Sequence, residues 1–347
     1  MASVVDVFCG AGGLTHGFVL RGFNVVAGID NDNHCKFPYE YNNATKFIHA
    51  AIEEMSAKEI DALFPPDQVK ILVGCAPCQP FSKYTYKRSY RDKWQLVEKF
   101  AELILAIRPQ IFSMENVPSL VTYKNRSIYQ SFISMLEPHY KIWDDIVFGP
   151  DYGVPQKRRR LVVLGSLLGD IELLPATHEP KDYVDVQAAI GKLPPIAAGE
   201  VCDSDPLHRT RGLSPLNMER MLQSVPGGNW ADWDDKLRAA CHRKSSGKTY
   251  SSVYGRMRGD APAPTITTQA FSFGTGRFGH PVQHRALSLR EMALLQSFPD
   301  YYKFVDGNEQ DYSFERIGKM IGNAVPVLLA SHIAVTIERH LNQHERT

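Results

Sequence analysis

The stretch Ile71–Ser82, ILVGCAPCQPFS, constrains the fold more than any other part of the chain. Its apolar, β-branched start, Ile71–Val73, predicts a buried parallel strand. Gly74 and the prolines that follow predict an irregular loop at the carboxyl end of that strand. In open α/β sheets ligands bind outside the carboxyl ends of the strands, so Cys78 on this loop is displayed to a substrate. Pro77 and Pro80 fix φ on either side of Cys78-Gln79 and hold the thiol in place before a substrate arrives. We read Cys78 as a nucleophile, against two rivals. Cys75-Ala-Pro-Cys78 also has the spacing of a redox dithiol or of half a zinc site. Cys9, Cys35, Cys202 and Cys241 are scattered and form no second close pair, so no metal is expected.

With 347 residues, 44% of them hydrophobic and 22% charged, the chain can build one large or two modest globular domains. No apolar run approaches membrane-spanning length, and MASVVDVFCG lacks a signal peptide's basic region and cleavage site. A cytoplasmic protein with no membrane partner is therefore expected. Scattered cysteines suggest reduced thiols rather than a disulfide framework. A net charge of +1 says little about partners, so local basic clusters matter more than the total.

Ser3–Phe8 reads as a strand, followed by the glycine-rich turn Cys9-Gly-Ala-Gly-Gly13 and a helical stretch, Leu14–Arg21. Glycines at such a turn let a ligand approach the backbone closely. The strand Asn24–Ile29 ends in Asp30, placed either to accept hydrogen bonds from ribose hydroxyls or to cap the next helix. Lys46–His49, Ile111–Met114, Lys141–Val147 and Leu161–Gly165 are further strands. Helices are expected at Ser56–Leu63, Trp94–Ile107, Ser127–Leu136 and Pro326–Leu341, with Ser56-Ala-Lys-Glu59 and Ser288-Leu-Arg-Glu291 as capping boxes. Lys83–Lys93 interleaves tyrosines with basic residues, as either a solvated loop or a lid over the substrate. From about Ile171 the alternation of strand and helix stops. The expected organisation is a first domain over 1–170, a smaller irregular domain over 171–285 and a return to the first over 286–347.

Taken in order, Asp6-Val-Phe-Cys-Gly-Ala-Gly-Gly13, Gly74-Cys-Ala-Pro-Cys-Gln-Pro-Phe-Ser82, Glu115-Asn-Val117, Gln156-Lys-Arg-Arg-Arg160, Arg290-Glu291 and Gly322-Asn-Ala-Val-Pro326 resemble the motif set of cytosine-C5 DNA methyltransferases of bacterial or phage type. The resemblance spans nearly all of the chain outside the middle domain. It implies an α/β, Rossmann-like S-adenosylmethionine-dependent methyltransferase fold with a mostly parallel sheet, plus a target-recognition domain. The implied activity is transfer of a methyl group to carbon 5 of a cytosine in a short sequence of duplex DNA, releasing S-adenosylhomocysteine. Carbon 5 is not nucleophilic in the aromatic ring. A thiolate added at carbon 6 makes the ring an enamine, which can take the methyl group. The cytosine must first be flipped out of the duplex.

By the resemblance Cys78 is that nucleophile. Glu115 would hold a proton at the cytosine N3 and amino edge, Arg160 would bind the O2, and Arg158 would brace the loop and the glutamate. Phe8, Cys9, Gly10, Gly12 and Gly13 would meet the methionine moiety, and Asp30 the ribose. Asn31, Ile52, Pro77 and Leu96 would line the rest of the cofactor pocket, and Asn323 and Ala324 would close it. Ser82, Gln156, Thr265 and Ile266 would contact DNA. Arg256, Arg258, Gln269, Arg277 and His280 are candidates for reading base edges or phosphates, or plain surface residues. The sequence departs from the family at Ala51-Ile52, where an aspartate usually precedes the isoleucine, and at Asn31, where an apolar or aromatic side chain is common. Adenine recognition must then use Glu53, Glu54 or the backbone.

The expected partner is double-stranded DNA, acted on by a monomer, with a separate companion restriction endonuclease and a location on the nucleoid of a prokaryotic host. The alternatives are a transfer-RNA cytosine methyltransferase of the same fold, whose usual Cys-Phe-Thr signature is missing here, and a thiol oxidoreductase built on Cys75-x-x-Cys78.

Overall fold

The computed structural model describes residues 1–77, 95–244, 251–307 and 313–344. Cys78, Ser82 and the Lys83–Lys93 segment lie outside them. The strands in chain order are β1 (Ala2–Val7), β2 (Asn24–Asp30), β3 (Lys46–His49), β4 (Val69–Gly74), β5 (Ile111–Asn116), β6 (Lys141–Phe148), β7 (Gln156–Lys157), β8 (Arg159–Ser166), β9 (Val201–Cys202), β10 (Asp205–Arg209) and β11 (Ala263–Pro264). Two units form: 1–152 with 159–177 and 325–347, and 153–158 with 178–324.

The first unit holds a seven-stranded sheet in the order β3-β2-β1-β4-β5-β8-β6. β3, β2, β1, β4 and β5 are parallel, whereas β8 runs antiparallel to both its neighbours. The sheet is therefore largely parallel, as the βα alternation predicts. Val4, Val5, Ile71, Leu72, Val73, Ile111 and Phe112 are buried irrespective of which face they point to. Helices cover both faces, which is why these strands read as continuous apolar runs rather than alternating ones. Gln95–Ile107 packs Val97, Phe100, Leu103, Ile104 and Ile107 into the core with Phe112, Met114 and Phe132. The helix Gly13–Val19 lies against Val327–His344, and Gly17 permits it. A Cβ there would come within 2.4 Å of the Ala330 Cβ.

Gly74 works in a similar way. It is the last residue of β4, and a Cβ on it would meet the Val7 side chain and carbonyl at 2.8–2.9 Å. Close strand packing, rather than a loop conformation, is its reason. Two strands extend further than expected. β5 runs through Glu115 and Asn116, and β8 begins at Arg159, so Glu115 and Arg160 both lie on strands rather than in loops.

The second unit is assembled from short pieces. Met221, Trp230, Trp233, Leu237, Phe273 and Ala286 form its own apolar cluster. The helices Leu289–Leu295 and Phe314–Asn323 belong to it, so the return to the first unit comes at Val325 and not at 286. Side-chain chemistry explains the correction. Buried Glu291 takes two bonds from buried Arg285, at 2.7 and 2.8 Å, and Arg290 pairs with Asp205 at 2.6 Å. Gly318 and Gly322 abut Phe271 and Thr268 so closely that a Cβ would clash. The expectation that no apolar run reaches membrane-spanning length also needs correction. The stretch Phe314–His344 contains an apolar window long enough, but 72% of it is buried within the protein, as expected of core helices.

Candidate active site

β4 and β5 are parallel neighbours, with Gly74 opposite Met114. The loop leaving β4 therefore lies beside the end of β5, and Asn116 ties the two together by donating from Nδ2 to the Ala76 carbonyl at 3.1 Å. Glu115, 2% exposed, sits at this end. Its Oε2 accepts from the Cys75 thiol at 2.9 Å. On the other side β5 pairs with β8, setting Glu115 opposite Val162. Arg160 lies two residues along β8 on the same face, a diagonal neighbour. Its Nε is 2.8 Å from the Glu115 Oε1. That is a charge contact rather than an aligned hydrogen bond, and Oε1 has no hydrogen-bond partner among the described residues. The glutamate is thus buried between two groups, the Cys75 thiol at one carboxylate oxygen and the Arg160 guanidinium at the other.

Strand periodicity divides the basic run Gln156–Arg160. Lys157 and Arg159 are exposed, whereas Gln156 and Arg158 are buried and Arg160 is nearly so. Arg158 donates to the carbonyls of Ile266, Gly322 and Ala324 at 2.9, 3.1 and 3.4 Å. Its bracing is of these segments, while the arginine at Glu115 is Arg160. Gln156 was expected to contact DNA, and the structure corrects this. The side chain is fully buried, donating to the Leu295 carbonyl and the Gln296 amide and accepting from the Ile266 N–H. The Ile266 side chain is buried as well, so only its backbone neighbour Thr265, half-buried and donating to the Lys157 carbonyl at 2.8 Å, keeps a surface position.

Two candidate base readers are also corrected. Arg256 is 6% exposed and donates to His284 Nδ1 at 2.8 Å. His280 is buried, and its Nδ1 accepts from the amides of Val282 and Gln283. Burial pushes His280 down to about 4, so it is a neutral structural acceptor. Arg277 is spent on the Gly227 and Gly228 carbonyls. Gln269 is exposed, as is Arg258, whose fork is aligned by Asp260 at 2.7 and 2.9 Å.

The glycine-rich turn after β1 is a run of left-handed conformations, with φ of 62° at Phe8, 51° at Gly10 and 91° at Gly12. Phe8 is the one of the three for which that region is strained. The turn is held by Cys9 N–H to the Ile29 carbonyl and by Gly10 N–H to Asp30 Oδ2, at 3.1 and 2.9 Å. Asp30 Oδ1 accepts from the Asp32 N–H at 2.9 Å. The acidic residue is therefore oriented by two backbone amides. A Cβ on Gly10 would meet nothing within 4 Å, so open space lies over the turn. Beneath it the fully buried Asp6 accepts from the Thr15 hydroxyl through Oδ2, and Oδ1 has no partner among the described residues. Burial pushes the Asp6 carboxyl up to about 7. Burial also pushes the Cys9 thiol well up, so it stays protonated and inert. Ile52 and Leu96 are buried, Pro77 is half-buried, and Asn31, Glu53, Glu54 and Asn323 are exposed. No group of three or more metal-ligating side chains exists among the described residues.

Cys75, Asn116, Asp6 and Gln296 escaped the reading of the sequence. For Asn116 the signal was its place beside Glu115. For Cys75 and Asp6 it was their place inside the ordered motifs, and for Gln296 there was none, because Gln156 is 140 residues away.

These strands, this loop and this glycine turn define a Rossmann-like methyltransferase. The family model of C-5 cytosine-specific DNA methylases matches residues 2–339, and the chain belongs to that family. It is 50% identical to the Type II methylase M.HgiDII of Herpetosiphon aurantiacus, over 100% of this chain and 98% of that protein. It is 33% identical to the Type II methyltransferase M.PspPI of a Psychrobacter species, over 98% and 80%. Among solved structures, a prophage-encoded E. coli protein described as a DNA modification methyltransferase superposes with a TM-score of 0.71 at 23% identity, covering 99% and 100% of the two chains. The S. pombe Dnmt2 methyltransferase gives 0.61 at 16%, a likeness of fold. The protein is a DNA (cytosine-5-)-methyltransferase.

Proposed function

We propose that the chain flips a cytosine from duplex DNA and methylates it through Cys78, with Glu115 and Arg160 as the groups that handle the ring. The observation that carries this reading is the buried Glu115 carboxylate, held between the Arg160 guanidinium and the Cys75 thiol beside the loop that leaves β4. A cytosine amidine edge is a chemical match for such a site. The Cys78 thiolate adds to carbon 6, forming a carbon–sulfur bond. The ring electrons displaced toward N3 are stabilised by a proton held at Glu115. Arg160 takes the O2 and keeps the glutamate oriented. Carbon 5 gains the methyl group and then loses its proton to a base. The carbon–sulfur bond breaks as the ring double bond returns, regenerating the thiolate.

S-adenosylmethionine, bound, supplies an electrophilic methyl group on a sulfonium and leaves as S-adenosylhomocysteine. The residues present fit it. Gly10 leaves open space, Asp30 is pre-oriented for ribose hydroxyls and Asp6 carries an unused buried oxygen. We assign Phe8, Cys9, Gly10, Gly12 and Gly13 to the methionine portion and Asp30 to the ribose. Asn31, Ile52, Pro77 and Leu96 are assigned to the remaining pocket, and Asn323 and Ala324 to its closure. Adenine recognition falls to the backbone near Ala51, or to Glu53 and Glu54. Ser82 and Thr265 are assigned to DNA.

The relatives are Type II enzymes, which supports a role as the modification half of a restriction system. In that role the chain works as a monomer, in the cytoplasm on the host nucleoid, beside a separate endonuclease.

The test is covalent trapping. DNA carrying 5-fluorocytosine in contexts found by bisulfite sequencing of an expressing strain should become linked to residue 78 when S-adenosylmethionine is present. Absence of both methylation and trapping, or labelling of transfer RNA in place of DNA, overturns the proposal.

A further inference from the structure

Two substrates meet in this reaction, and the second unit contains buried side chains that link the segments assigned to each. Gln156 and Gln296 are fully buried, at 0% exposure. Their amides form a directed chain. The Ile266 N–H donates to Gln156 Oε1 at 2.9 Å, and Gln156 Nε2 donates to Gln296 Oε1 at 2.6 Å. Gln296 Nε2 donates to the Ile321 carbonyl at 2.7 Å, with longer approaches to Gly322 and Ala324. At its near end the chain grips the peptide beside Thr265. At its far end it caps the last carbonyls of the helix Phe314–Asn323, at the turn carrying Asn323 and Ala324. Arg158 makes the parallel connection, from the Ile266 carbonyl to those of Gly322 and Ala324. Thr268 packs on Gly322 without room for a Cβ, so the two segments are in direct contact as well.

A glutamine pair is an unusual choice for so dry a position. An apolar pair would fill the volume without the cost of desolvating two amides. What the amides add is direction: each has one acceptor and one donor group, and reversing either leaves two buried groups unpaired. The pair therefore admits one register between the strand and the turn.

We propose that Gln296 is a positioning residue which, through Gln156, locks Ala263–Ile266 to Ile321–Ala324, so that DNA engagement and cofactor engagement are coupled. This rests on the assignment of Thr265 to DNA and of Asn323 and Ala324 to the cofactor. By linkage, the factor by which DNA tightens the cofactor equals the factor by which cofactor tightens DNA.

The experiment is calorimetric titration of S-adenosylhomocysteine into the full-length protein, with and without supercoiled plasmid DNA bearing the methylation context. Wild type, Gln296→Met, Gln156→Met and the double variant are compared, with Gln296→Asn as a milder substitute should a methionine variant fail to fold. In wild type, DNA should tighten the product by about tenfold. Each single variant should bring that factor close to one while still binding the product alone, and the double variant should lose no more than either single one. A merely structural role would lower the melting temperature and leave the factor unchanged, which overturns the inference. So does a wild-type factor of one, or losses that multiply in the double variant. Incorporation of labelled methyl groups into the same plasmid by wild type reports separately on the underlying functional assignment.

Discussion

Arg160 on β8 reaches Glu115 on β5 across an antiparallel pair, Nε to Oε1 at 2.8 Å, while Cys75 approaches the other carboxylate oxygen at 2.9 Å. A strand register, not a loop, aligns the two charged groups. Removing one partner of so buried a pair leaves the other uncompensated, at about 3–5 kcal/mol. Arg160→Ala should therefore lose both stability and activity. Glu115→Gln, which keeps the shape but removes the charge that compensates Arg160, should lose part of that stability and slow methyl transfer by about 10²-fold or more. Label incorporation into plasmid DNA and urea unfolding check both, and a Glu115→Gln enzyme of near-normal rate would reject the assigned role.

Cys75 and Cys78 should respond very differently. The Cys75 thiol contributes one neutral donor to a carboxylate, so Cys75→Ala should cost about tenfold or less in rate. Cys78→Ala should abolish turnover. Equal dependence on both thiols, measured under reducing conditions, is what a dithiol oxidoreductase requires and is inconsistent with this site.

Asp6 gives stability a defined pH dependence. Its folded-state value, about 7, lies above the ordinary 3.8 because burial disfavours the charged form. The folded chain therefore holds this proton more tightly than the unfolded chain. The contribution is complete below about pH 4 and is lost as the pH rises through about 7. Asp6→Asn, which cannot ionise, should thus gain on wild type between pH 5 and pH 8. Urea denaturation at the two values decides it, and a difference independent of pH counts against the buried-acid description.

Lys157 and Arg159 point outward from a run whose other members point inward. Arg159 rests its guanidinium 4.8 Å from the Phe148 ring and stays exposed. Replacing either by alanine should weaken DNA binding at any sequence and reduce the salt dependence of the affinity by about one unit of log–log slope. Binding isotherms at several salt concentrations test this, and an unchanged slope removes the residue from the DNA interface.

Much of the first unit was legible in the chain. Lys46–His49 and the capping boxes at Ser56 and Ser288 are set by local periodicity and by side chains three residues apart, and they fall where expected. The ordered motifs identify the family because each couples a residue type to a turn it must occupy. Nothing local said that Gln156 and Arg256 would be buried. Polar and basic residues read as surface until their partners are known, and those partners lie on segments far away in sequence.

The sequence by itself determined the alternation of strands and helices, the glycine turn and the kind of reaction, because these depend on neighbours within a few positions. Only the tertiary structure decided which arginine meets Glu115, where the chain leaves the second unit, and that two glutamines join Ile266 to Ile321. Those outcomes depend on strand register and on hydrogen bonds between residues up to 140 positions apart, and no pattern within a short window encodes them.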